Sequence, residues 1–173
     1  MALVIRPTTS RTTPDPGQGG LAVTGPANTG HASTTSSAAG DGIGVSEEKS
    51  CIWSGIAAAP SGTKVSVTLK ITHTSNGTIS GGTATNQFQL EYSLNGGGAW
   101  SSAVSRINMT TSAGPTVFSV ALPLGQDLTQ VRVRDFIQAT ALTIGHSATA
   151  IATISDIQVE VVTAEDVVVS GGM

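Results

Sequence analysis

A chain of 173 residues with 39% hydrophobic, 11% charged and 3% aromatic residues, one cysteine and a formal net charge of −3 has the length of a single domain. Eight Lys and Arg against eleven Asp and Glu leave no cationic footprint for phosphate contacts, which argues against a nucleic-acid partner, and the lone Cys51 excludes an intrachain disulfide framework or a cysteine-rich zinc module. A soluble domain usually carries roughly a quarter charged residues, so this charge content favours a protein that works within an assembly.

The first segment, Met1 to Pro7, holds four apolar residues between the Met and Arg6, short of a signal-peptide apolar region, and no run of about 18 apolar residues follows anywhere. The expectation is a chain kept in the cytoplasm where it is made until assembly, without a membrane partner. From Pro7 to Ser46, 30 of 40 residues are Gly, Pro, Ser, Thr or Ala, and the large aliphatics are Leu21, Val23, Ile43 and Val45. Such a stretch cannot bury a core of its own, so residues 1–50 are expected to form an extended arm.

From residue 51 the pattern becomes that of half-buried strands. Lys64 to Thr72 places Val65, Val67, Leu69 and Ile71 on one face, and Gln87 to Leu94 does the same with Phe88, Leu90, Tyr92 and Leu94. Further strands are expected at 51–56, 99–106, 116–122, 128–136, 147–154 and 157–163. Turn signals separate them at Ser61-Gly62, Ser75-Asn76-Gly77, Gly81-Gly82, Asn95-Gly96-Gly97-Gly98, Gly114-Pro115 and Gly125. No segment reads as a helix. Short strands at this spacing predict an all-β fold, an antiparallel β-sandwich of jelly-roll-like type over 51–163, with a C-terminal tail at 164–173. The tail carries Val167-Val168-Val169, a β-rich triplet suited to a last strand.

Chemistry-bearing residues are sparse. The body holds seven acids and five bases, and His31, His73 and His146 are too far apart for metal-ligand spacing. Ser93, His73 and Asp135 could be written as a nucleophilic trio, but no Gly-x-Ser-x-Gly elbow accompanies them. The glycine clusters at 17–20 and 40–44 complete neither a dinucleotide nor a P-loop fingerprint. No catalytic, cofactor or metal residues follow from this inventory. Arg132 and Arg134 share the polar face of one strand, Gln158 and Glu160 that of another, and cross-strand pairing is the expected role. Cys51 reads as a small buried hydrophobe. Sugar platforms need exposed aromatics; Phe88 and Tyr92 have core parity and Phe118 and Phe136 read as core, which leaves Trp53 and Trp100 as candidate glycan contacts.

Two resemblances follow from these residues. Ser93-Leu94-Asn95-Gly96-Gly97-Gly98-Ala99-Trp100 resembles the Asp-box hairpin of sialidases, Ser-x-Asp-x-Gly-x-x-Trp, with Asn95 where that family carries Asp. There the motif is structural, so it implies a hairpin and no catalysis. The Gly/Thr/Ser/Pro-rich arm, the low charge, and the segments Gln126 to Arg134 and Ile154 to Val161 resemble structural proteins of tailed bacteriophage virions. That resemblance implies a non-enzymatic decoration, tail or fibre protein located in the virion. Its partners would be capsid or tail subunits and further copies of itself, reached through the N-terminal arm. The alternative reading is a carbohydrate-binding module recognising a host-surface glycan.

Overall fold

The computed structural model describes residues 2–14, 29–32, 36–37, 45–80, 84–109 and 114–165. Its strands are β1 (Leu3–Ile5), β2 (Thr9–Pro14), β3 (Thr29–Ala32), β4 (Ser36–Ser37), β5 (Val45–Ser54), β6 (Lys64–Ile79), β7 (Ala84–Ser93), β8 (Ser101–Asn108), β9 (Thr116–Ala121), β10 (Arg132–Ala141) and β11 (Ser147–Thr163). Sheet A runs β1-β11-β6-β9, with β3 and β4 also paired to β11, and sheet B runs β2-β5-β10-β7-β8. Every pairing is antiparallel. The chain is therefore an antiparallel β-sandwich, and its last three strands alternate between the sheets, as jelly-roll connections do.

Period-two alternation drives this packing. Val67, Leu69 and Ile71 of β6, Phe88 and Leu90 of β7, Val133 and Ile137 of β10 and Ile157, Val159 and Val161 of β11 are buried between the sheets. Each such side chain removed from water stabilises the fold by about 1.5–3 kcal/mol before conformational entropy is set against it. Tyr92 and Phe118 meet across the layers with ring centroids 5.9 Å apart.

Several expectations are corrected. Val65 is 51% exposed, because the β6–β11 register jumps from Val162↔Ser66 to Thr163↔Lys64 and leaves Val65 as the extra residue of a bulge. Ser75-Asn76-Gly77 is no turn: β6 continues through it to Ile79. Gly77 sits where a Cβ would come 2.6 Å from Asn86 Nδ2 and 2.7 Å from the Met109 carbonyl, so a close approach of neighbouring chain requires the glycine there. The two strands expected at 147–154 and 157–163 are one strand. Ala148, Ala150, Ala152 and Ile154 face inward, then Ile157, Val159 and Val161, with Ser155 as an extra residue between Ile154↔His73 and Asp156↔Thr72. The strand expected at 128–136 begins only at Arg132. Leu128–Gln130 form a 3-10 turn whose N-cap, Asp127, accepts the Thr129 N–H at 3.0 Å and its hydroxyl at 2.7 Å. Those bonds, the hydroxyl's first, hold the Asp127 carboxyl below its usual range.

Residues 1–50 are expected to form an extended arm without a core of its own. Among its described residues, β1 pairs with β11 from Leu3↔Val161 to Ile5↔Val159, and β2 pairs with β5 from Thr9↔Ser54 to Pro14↔Lys49. Between them Pro7 is buried, and Arg6 Nε donates to Asp156 Oδ1 at 3.0 Å. Composition hides these strands because main-chain pairing to a ready-made edge requires no apolar side chains. The boundary drawn at residue 50 falls inside β5, whose pairing with β10 runs from Ala141↔Val45 to Val133↔Trp53. Gly81-Gly82 and the Val167–Val169 triplet lie outside the described residues; Ala164 and Glu165, the last described residues, are helical in conformation.

Candidate functional site

The inner and outer faces of sheet B divide its chemistry. Trp53 is in the core at 1% exposure, which removes it as a surface glycan contact: on β5 it has the inward parity of Cys51, itself fully buried and free of disulfide. Its Nε1–H is buried without a partner. Trp100 lies at the other surface, at the end of the turn between β7 and β8, half-buried.

That turn is built by Ser93 and Asn95. Ser93 Oγ accepts from Gly97 N at 2.9 Å and donates to Asn95 Oδ1 at 2.9 Å, and Asn95 Oδ1 accepts from Ala99 N at 2.8 Å. A single side-chain oxygen thus receives two donors, the service a carboxylate gives in the Asp-box pattern and an amide oxygen gives here. Gly96 (φ 74°) and Gly97 (φ 98°) occupy the left-handed region, and Gly96 N donates to the Gln130 carbonyl at 2.8 Å, tying the turn to the 3-10 turn that precedes β10.

On the outer face, Arg134 of β10 stands opposite Ile52 on one side and Glu91 on the other. Its guanidinium carbon lies 4.0 Å from the Trp100 ring centroid and 4.6 Å from that of Phe136, and its Nε donates to Glu91 Oε2 at 3.0 Å. Phe136 was read as core; it lies half-buried on the outer face, two residues along the strand from Arg134. That shared parity with Arg132 and Arg134 was the signal available in the sequence. Beyond the stack, Gln89 Nε2 donates to Glu91 Oε1 at 2.9 Å, and Arg106 donates to Gln89 at 3.3 Å and to Glu48 at 3.2 Å. Planar amide, carboxylate and guanidinium groups therefore share one sheet face with an indole.

Beside Trp100 the face opens into a cleft of about 350 Å³ lined by Ile52, Ser54, Gly96, Gly97, Trp100, Arg132 and Arg134. Arg132 Nη1 donates to the Thr129 carbonyl at 2.6 Å and to the Val131 carbonyl at 2.9 Å. The expected cross-strand pairing thus occurs for Arg134, whereas Arg132 turns to backbone carbonyls. On sheet A, Glu160 takes Lys70 at 2.7 Å and Gln158 at 3.3 Å.

The nucleophilic trio is not brought together by any hydrogen bond. Ser93 is held in the turn network. Asp135, fully buried, accepts from Cys51 N at 3.0 Å. His73 is buried and stacked on Phe88 at 5.2 Å, with no hydrogen-bond partner for either ring nitrogen. Burial pushes its pKa down, and the charge of Asp135 opposes that shift. His146 lies in the loop before β11, its Nδ1 3.2 Å from the Ser80 carbonyl; His31 is in β3, opposite Ala152. Among the described residues no three His, Cys, Asp or Glu side chains gather as metal ligands.

With strands in two facing antiparallel sheets and a polar-aromatic cleft on one outer face, the chain falls in the class of β-sandwich proteins. Comparison with protein-family models and with curated proteins gives no match. Among solved structures, it is similar to a carbohydrate-binding module, TmCBM61, in complex with β-1,4-galactotriose, at a TM-score of 0.37 and 11% identity over 87% of this chain and 86% of that one. The fold assignment rests on the chain's own strand pairing.

Proposed function

We propose that this chain is a non-enzymatic recognition module that binds a glycan on the outer face of sheet B. The observation that supports it is the co-location of the Trp100 indole with guanidinium, carboxylate and amide groups around an open cleft. Pyranose rings present an apolar face that stacks on an aromatic ring and paired hydroxyls that planar polar side chains can bond in twos, so this residue set suits sugars. Screening the folded chain against a glycan array tests it: the expected result is retention of at least one glycan by the native protein and loss in Trp100→Ala. Equal retention by both proteins, or by neither, overturns the reading.

A second reading, compatible with the first, is a structural component of a tailed-bacteriophage virion, a decoration, tail or fibre subunit in which glycan binding would serve host attachment. The N-terminal strands favour it. β1 and β2 are joined to the sandwich as added edge strands, β1 at the margin of sheet A and β2 at that of sheet B, and main-chain pairing of that kind is transferable to an identical neighbour. Deleting residues 1–45 is expected to abolish incorporation into particles; normal incorporation of the truncated chain would refute this role.

A further inference from the structure

The cleft beside Trp100 has a charge that its own walls do not balance. Arg134 is matched by Glu91 at 3.0 Å. Arg132 has no carboxylate partner among the described residues, and its two hydrogen bonds both run through Nη1 to backbone carbonyls. Those two bonds fix the plane of the guanidinium. They leave the Nε–Nη2 edge without a partner, and that edge carries two parallel N–H groups at the spacing of the two oxygens of a carboxylate. The Trp100 Nε1–H likewise has no hydrogen-bond partner among the described residues, and Ile52 and the indole supply the cleft's apolar wall.

We propose that the cleft selects an acidic saccharide, the carboxylate of a uronic-acid ring pairing with the free edge of Arg132 while the ring packs against Trp100. This rests on the glycan reading above and adds the class of sugar. One unmatched positive charge suits a monoanion. A phosphate dianion would bring a second negative charge towards Glu91, and a neutral sugar would leave Arg132 unpaired beneath it.

The test uses the full chain and Trp fluorescence, with Trp53 as a buried constant signal and Trp100 as the reporter. Oligomers of galacturonate, glucuronate and alginate are titrated beside their carboxyl-reduced counterparts, which differ only in bearing a hydroxymethyl group for the carboxylate. Poly-glycerol-phosphate and polyglutamate provide anions without a uronic ring. The expected result is saturable binding of at least one uronate oligomer, weakened about tenfold or more by carboxyl reduction and by raising the salt. Arg132→Gln should abolish the difference between acidic and reduced forms, and Arg132→Lys, which keeps the charge and loses the fork, should restore it in part. Because the acid-against-reduced comparison is made on the native protein, it holds even if the Arg132 variants fail to fold. Equal binding of acidic and reduced oligomers overturns the acidic specificity and leaves the glycan reading standing. Tighter binding of either polyanion overturns it in favour of phosphate or of bare carboxylates. Absence of binding by every oligomer, acidic or reduced, overturns the specificity, and if the glycan array is also blank the recognition reading falls with it.

Discussion

Replacing Arg134 with Met keeps most of the aliphatic stem and removes the charge that Trp100, Phe136 and Glu91 surround. The Arg134 and Glu91 side chains are 24% and 14% exposed, so solvent screens the pair less than it would at an open surface. A cation over an aromatic face contributes about 0.5–1 kcal/mol where partly solvated. Two faces at 4.0 and 4.6 Å therefore supply about 1–2 kcal/mol. The hydrogen-bonded ion pair contributes about 1 kcal/mol more, and removing Arg134 also leaves Glu91 poorly solvated. Arg134→Met should thus lose about 2–3 kcal/mol. With a urea dependence of about 2 kcal/mol/M for a domain of this size, the unfolding midpoint moves down by about 1–1.5 M. Trp53, buried in the core, reports the transition in both proteins. A double-mutant cycle with Trp100→Leu isolates the stack, with an expected coupling of about 0.5–1 kcal/mol. A midpoint for Arg134→Met within about 0.2 M of the native value, or a coupling of zero, would show that the stacked geometry contributes nothing to stability.

Gly96→Ala places a Cβ 2.8 Å from Gln130 Oε1 at a φ of 74°, and should cost about 1 kcal/mol or more in thermal unfolding, whereas Asn95→Asp, which keeps the shared acceptor, should melt close to the native temperature. Leu69→Ala, at a fully buried position, should lose about 2–5 kcal/mol in urea titration. The His73 ring is held neutral by burial, so below its ordinary value of 6.5 the unfolded chain takes up a proton that the folded chain resists. That contribution to stability is present above this pH and is lost as the pH falls below it; His73→Leu should therefore show a smaller loss of melting temperature between pH 7.5 and 5.5 than the native protein, and identical losses would refute the assignment.

The strands most legible in the sequence are those whose inward positions are large and apolar. Val67, Leu69 and Ile71 stand out, as do Phe88 and Leu90. Legibility fades where the buried face is small or polar: β6 runs on through His73 and Ser75, and β10 through Asp135, Ala139 and Ala141, all buried, all weak as apolar signals. Bulges add another loss, since an alternation that skips a beat reads as the end of a strand. The candidate site was half visible. Trp100 and the two arginines were singled out by type and parity, but the face to which Trp53 turns depends on sheet pairing, and the anchoring of Arg132 depends on the 3-10 turn before it.

The extra residue in β11 also bears on which insertions and deletions the gene can tolerate. Without Ser155, Ile154 would still pair with His73 and Asp156 with Thr72, and the strand would alternate without interruption from Ala148 to Val161. Loss of Thr153 instead, with the ladder made regular, would turn Ile154 outward and Ser155 inward. Ser155 is thus the natural place for a shorter relative of this chain to lack a residue, and a gap aligned there would mark a straighter sheet A with every face conserved.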